Sequence, residues 1–103
     1  MIESIRIDKW LWFSRICKSR SFAQKLCSEG CLKINSIIIK KPNKTIKIKD
    51  FITITYFNKV TKVKVLSLAS TRQPACDAEK MYESSNDIKG FFRKKYYNFN
   101  YRN

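Results

Sequence analysis

Histidine is absent from this 103-residue chain, and only eight of its residues are acidic. The commonest general base of enzymes is therefore missing, and the few carboxylates are scattered rather than paired. Gly30 and Gly90 are the only glycines, so a Gly-rich phosphate loop cannot be built. No run approaches the roughly 20 apolar residues of a membrane helix. The opening MIESIRIDKW alternates charged and apolar residues and has no signal-peptide h-region. A chain this short buries one modest core, without room for a cofactor fold beside a catalytic domain. These absences predict a cytoplasmic, non-enzymatic protein with no cofactor and no membrane partner. Cys17, Cys27, Cys31 and Cys76 are then reduced. They lack the paired spacing of a zinc ribbon, so buried thiols are expected rather than a metal site.

What is abundant is positive charge. The net charge is +14, and self-repulsion on that scale calls for a polyanionic partner. The 16 lysines accompany 13 isoleucines and seven asparagines, a usage typical of AT-rich genomes. The six arginines carry more information, because the same bias works against them. Arg6, Arg15 and Arg20 fall in the stretch Arg6–Asn35, with Lys9 and Lys18, and no acid lies between Lys9 and Leu26. A merely solvated face would intersperse acids. Arginine also suits phosphate, because its planar fork grips two oxygens at once.

Hydrophobic spacing divides the chain into elements. Asp8 is expected to cap a helix over Lys9–Cys17, its apolar face formed by Trp10, Leu11, Phe13 and Ile16 or Cys17; Trp12 lies about 100° from Leu11, so at least one tryptophan should sit at the edge of the core. Ser19 should cap a second helix, Arg20–Ser28, whose free N–H groups would accept a phosphate beside Lys18 and Arg20. Gly30 fits the left-handed residue that ends it. The period then becomes strand-like. Strands are expected at Cys31–Asn35, Ile37–Lys40, Phe51–Phe57 and Val60–Leu68, with turns at Asn35-Ser36 and Asn58-Lys59 and a break at Lys41-Pro42-Asn43-Lys44. Lys62 and Lys64 alternate with Val63 and Val65, giving one basic and one apolar face. Pro74 should open a short third helix anchored by Met81 and Tyr82. The fold class is α+β: two N-terminal helices on a small curled antiparallel sheet. Residues 1–70 are read as the main domain and 71–103 as a C-terminal helix and tail.

The pattern Arg6-x-Asp8-Lys9-x-Leu11, Arg15, Lys18-Ser19-Arg20-x-x-Ala23 and Gly30-x-Leu32-x-Ile34-Asn35 resembles the S4-type (alpha-L) RNA-binding domain. Trp10-Leu11-Trp12, Lys41-Pro42-Asn43-Lys44, Arg72-x-Pro74-Ala75 and Met81-Tyr82-Glu83 narrow the resemblance to the stand-alone heat shock protein 15 type, over about residues 5–84. The resemblance implies a ribosome-associated, rRNA-binding stress protein. Such proteins bind large subunits that still carry a nascent chain on tRNA, and help recycle them. Carried over, the RNA-binding set is Arg6, Lys9, Arg15, Lys18, Ser19 and Arg20 with Lys41 and Lys44, while Asp8, Leu11, Ala23, Leu26 and Gly30 are structural. The family often has Asn-Gly where this chain has Asn35-Ser36, which predicts a wider turn here.

Other readings stand beside this one. The chain could assist an RNA-modifying enzyme, or bind DNA, since phosphate contacts separate the two poorly. From Ile88 onward five bases and six aromatics occur without an acid. That tail could stack on bases, lie on an anionic membrane or finish the core. A monomer is expected. Replacing Arg15 and Arg20 by alanine is expected to weaken RNA binding and leave the fold intact.

Overall fold

In the computed structural model, residues 3–56 and 58–84 are described; the basic–aromatic stretch from Ile88 lies outside them. Helix α1 runs Ile7–Phe13 and α2 runs Arg20–Ser28. The first differs from expectation at both ends. Arg6, not Asp8, is the N-cap residue, and Asp8 sits buried inside the first turn. The helix also stops four residues before Cys17. Had it continued, the Cys17 N–H would donate to the Phe13 carbonyl. That carbonyl instead accepts from the Gln73 N–H at 3.1 Å, and Cys17 turns back to the Leu11 carbonyl at 2.9 Å. Arg15 takes a left-handed backbone, φ 61°. A segment nearly 60 residues away thus ends the helix, which no local propensity could reveal.

Helix α2 ends as its residues predict. The Ser19 hydroxyl accepts from the Phe22 N–H at 3.1 Å, satisfying one orphan donor of the first turn. Ser19→Ala should therefore cost about 1 kcal/mol in chemical denaturation; a change below a few tenths would mean that water replaces the cap. At the other end Gly30 has φ 73°. Its N–H reaches the Cys27 carbonyl and that of Cys31 reaches Leu26, at 3.1 and 3.0 Å, the paired bonds of a Schellman cap.

Among the described residues, five strands form one antiparallel sheet in the order β3-β2-β5-β6-β7. They are β2 Leu32–Ile34, β3 Ile37–Ile39, β5 Phe51–Tyr56, β6 Lys59–Val65 and β7 Tyr82–Ser84, while the short β1 Ile5–Arg6 pairs with β4 Thr45–Ile46 apart from it. The wider turn expected at Asn35-Ser36 is not found. Ile34 pairs with Ile37, and Asn35 and Ser36 both have positive φ, 50° and 76°, the geometry of a two-residue I′ hairpin. The neighbouring strand imposes it: the Asn35 side chain accepts from the Phe51 N–H at 2.9 Å and donates to Asp50 at 3.1 Å. Ser36→Gly should relieve the left-handed strain and raise stability by about 0.5–1 kcal/mol, read as a higher denaturation midpoint. A second correction concerns the β5–β6 turn. Lys59 pairs with Tyr56 and so begins the strand rather than belonging to the turn, and β6 ends at Val65 rather than Leu68.

The core lies between the helices and one face of this sheet. Trp10, Leu11, Ala23 and Leu26 meet Leu32, Ile52, Ile54, Val63 and Val65, all without exposed surface. Pro74 caps α3, the single turn Ala75–Ala78, and a 3₁₀ turn Glu79–Met81 delivers the chain to β7. Met81 is buried within this same core and Tyr82 packs against it, while Ala78 is also buried. The Trp10 indole N–H donates to the Ser67 carbonyl at 3.0 Å, and its ring meets Tyr82 edge-on at 6.4 Å. A fully buried indole thus keeps its one donor satisfied.

Candidate nucleic-acid interface

The centre of the basic helix pair is an acid. The Asp8 carboxylate is wholly buried and accepts five hydrogen bonds. Arg6 donates Nε to Oδ1 and Nη2 to Oδ2, both at 3.1 Å. Arg20 Nε and Gln24 Nε2 each reach Oδ2 at 3.1 Å, and the Lys9 N–H reaches Oδ1 at 2.9 Å. Burial alone would raise the Asp8 pKa, but the bonds from Gln24, Arg20 and Arg6 outweigh it and hold the carboxyl below its ordinary range. The acid stays charged because its ionised form is fully hydrogen-bonded.

This arrangement fixes two cations in place. Arg6 precedes α1 and Arg20 opens α2, so one carboxylate ties the starts of both helices together. The two arginine side chains remain 38% and 36% exposed. Two positive charges meet one negative, leaving excess positive charge and unspent N–H groups facing solvent. The β1–β4 pairing adds the lysine loop: Arg6 lies opposite Thr45, and the Ile7 N–H donates to the Lys44 carbonyl at 2.8 Å. Lys41 and Lys44 are exposed there. Arg6, Lys9 and Arg20 are thus brought together around Asp8, and the Lys41–Lys44 loop is joined to the backbone at Arg6 and Ile7.

Arg15 and Lys18 belong to a different grouping, the turn between the helices. Arg15 Nε donates to the Gln73 carbonyl at 2.6 Å. Arg72 Nη2 reaches the Lys18 carbonyl at 3.4 Å, and its guanidinium lies 5.9 Å from the Trp12 ring. Partial burial and the nearby Arg15 charge lower the Arg72 pKa. Arg72 is the cation that charge patterning missed; only its place in Arg72-x-Pro74 marked it. Ser19 holds Phe22 through its hydroxyl, a structural task. Alanine at Arg15 and Arg20 would remove contacts within the protein as well as any contact to RNA. Arg15 ties the 71–74 segment to α1, and Arg20 neutralises a buried carboxylate.

Two of the four thiols, Cys17 and Cys27, are unreactive by placement. Burial raises Cys17, and burial with the Asp8 charge raises Cys27 to about 12. Cys31 is half-buried and Cys76 exposed. A thiol reagent at neutral pH should label Cys76 first, and Cys17 and Cys27 only on unfolding; early labelling of Cys17 would contradict the packing. Among the described residues, no histidine, cysteine, aspartate and glutamate cluster could hold a metal ion, and no helix is long and apolar enough to cross a membrane.

Comparison with known proteins bears on this surface. The profile of the S4 domain matches residues 5–52, which contain the whole Asp8 network and the lysine loop. The chain is 37% identical over 79 residues to the RQC P-site tRNA stabilizing factor of Streptococcus pneumoniae, covering 77% of this chain and 88% of that protein. It is 31% identical over 81 residues to heat shock protein 15 of Escherichia coli, covering 79% of this chain and 60% of that longer protein. Among solved structures, the trimeric heat shock protein 15 of Vibrio cholerae superposes with a TM-score of 0.73 at 26% identity, covering 90% of this chain and 93% of the other.

Proposed function

This chain belongs to the S4-domain family, and from that premise we propose that it is a non-enzymatic protein that binds structured ribosomal RNA or tRNA. It acts in the cytoplasm on the large ribosomal subunit and helps recycle stalled subunits that carry a nascent chain on tRNA. The observation that carries this reading is the Asp8 network. A buried carboxylate that holds Arg6 and Arg20 at two helix starts pre-orders guanidiniums for phosphate, so less rotamer entropy is lost on binding. Lys9, Lys41, Lys44, Arg15 and Lys18 extend the contact. A-form RNA is read through backbone and shape, so little base specificity is expected.

The names of the relatives support the ribosomal and tRNA parts of the reading. The Vibrio cholerae relative is described as trimeric; the reading here is of a monomer, which light scattering distinguishes. The deciding experiment is sucrose-gradient fractionation of lysate. The protein should travel with free large subunits and leave them as salt is raised. Sedimentation with small subunits alone, or retention at the top of the gradient, would refute the proposal. Competition between duplex RNA and duplex DNA at fixed salt then separates RNA preference from general polyanion binding.

A further inference from the structure

The sheet has a second face that the surface above does not use. Alternation sends Leu32, Ile52, Ile54, Val63 and Val65 into the core and turns Lys33, Phe51, Lys62 and Lys64 outward. The register sets Lys33 opposite Thr53 and Thr53 opposite Lys62, so these three form one row across β2, β5 and β6. In the adjacent row Phe51 lies opposite Lys64, which in turn faces Glu83. Phe51 is an exposed residue, at 40% of its surface. Lys62 Nζ lies 5.1 Å and Lys64 Nζ 5.9 Å from its centroid.

We propose that this face is a second nucleic-acid site that takes single-stranded RNA, with a base stacked on Phe51 and the flanking phosphates on Lys62, Lys64 and Lys33. An ordinary cross-strand pair needs one cation beside a ring. Here two ammonium groups from the same strand converge on one aromatic, and Glu83 is the one acid on these two rows among the described residues. A phosphate that reaches this face is attracted by both lysines. The ring supplies what an anion alone would not need, a flat apolar surface matched to a base. Backbone charge and an aromatic platform on an open sheet are the two elements of sequence-tolerant single-strand binding. The inference rests on the proposed RNA-binding role only for the identity of the polyanion.

The test uses the full chain and a labelled oligouridine of about eight nucleotides, read by fluorescence anisotropy beside a duplex RNA of similar charge. Phe51→Leu keeps an apolar strand residue but removes the stacking surface. It should weaken oligouridine binding by about tenfold or more while leaving duplex affinity within about twofold. Phe51→Trp should bind as tightly as the wild type. Alanine at both Lys62 and Lys64 should lower the salt slope for the single-stranded oligomer by roughly 1.4. Thermal melts give the folded fraction of each variant. Equal oligouridine affinity for wild type and Phe51→Leu would overturn the proposal. Equal loss of duplex and oligomer binding in Phe51→Leu would overturn it too. So would capture of anionic phosphatidylserine vesicles that depends on Phe51 when oligouridine is not bound. Phe51-dependent oligomer binding without any duplex or ribosome binding would support this site and refute the function proposed above, so the two readings fail separately.

Discussion

Replacing Asp8 with alanine should destabilise the protein by about 2–4 kcal/mol, far more than the loss of one of eight acids from a chain of net charge +14 would cost at the surface. Surface electrostatics alone would predict only a slight destabilisation, from the added net positive charge. The cost arises because the carboxylate is wholly buried and accepts from Arg6, Arg20, Gln24 and the Lys9 N–H. Hydrogen bonds to a charged group contribute about 1.5–3 kcal/mol each at most, net of hydration. Removing one partner of a buried pair costs about 3–5 kcal/mol when the other charge is stranded. Arg6 and Arg20 are more than a third exposed and regain water, which keeps the cost below that upper range. Arg20→Ala should cost less, about 1–3 kcal/mol, because Arg6 and Gln24 still satisfy the acid. The double variant should cost less than the sum. Chemical denaturation measures all three, and an Asp8→Ala midpoint equal to the wild type would show that the network carries no stability.

The same network fixes the sign of the acid response. The Asp8 pKa is lowered in the folded protein from an ordinary 3.8, so the unfolded chain takes up a proton first as pH falls. Its contribution is present above that ordinary value and is lost as pH falls through the depressed folded one. Asp8→Asn should flatten this part of the acid limb.

The second large effect concerns binding without folding. Alanine at Lys9, Lys41 and Lys44 together should weaken structured-RNA binding by roughly ten- to a hundredfold near physiological salt, and lower the salt slope by about two to three. Their ammonium groups hold no protein partner among the described residues, so stability should change by no more than about 0.5 kcal/mol per site. This separates contact from scaffold, which alanine at Arg15 and Arg20 cannot do. Unchanged affinity and slope in a fully folded triple variant would remove the lysine loop from the interface.

The elements were legible where their signal was local. Ser19, the Phe22–Cys27 stripe and Gly30 specify α2 from cap to cap, and the structure follows them. The alternation of Lys62 and Lys64 with Val63 and Val65 fixed the two faces of β6. Helix α1 departs from its local signal because its end is set by Gln73, and the Asn35-Ser36 turn does so because Phe51 and Asp50 hold an otherwise strained backbone. Asp8 showed the same limit: an aspartate at a helix start reads as a cap, and nothing nearby says that Arg20 and Gln24 will reach it.

Composition and spacing by themselves determined that this is a small basic α+β protein with its cations gathered at two helix starts, because charge sign and periodicity are properties of neighbours in the chain. Only the tertiary structure decided which cations are organised together. It joined Arg6 to Arg20 through Asp8, tied Arg15 to the 71–74 segment, and set Phe51 beneath Lys62 and Lys64. Each of those depends on residues brought close by packing, where a short distance or a buried charge outweighs local preference.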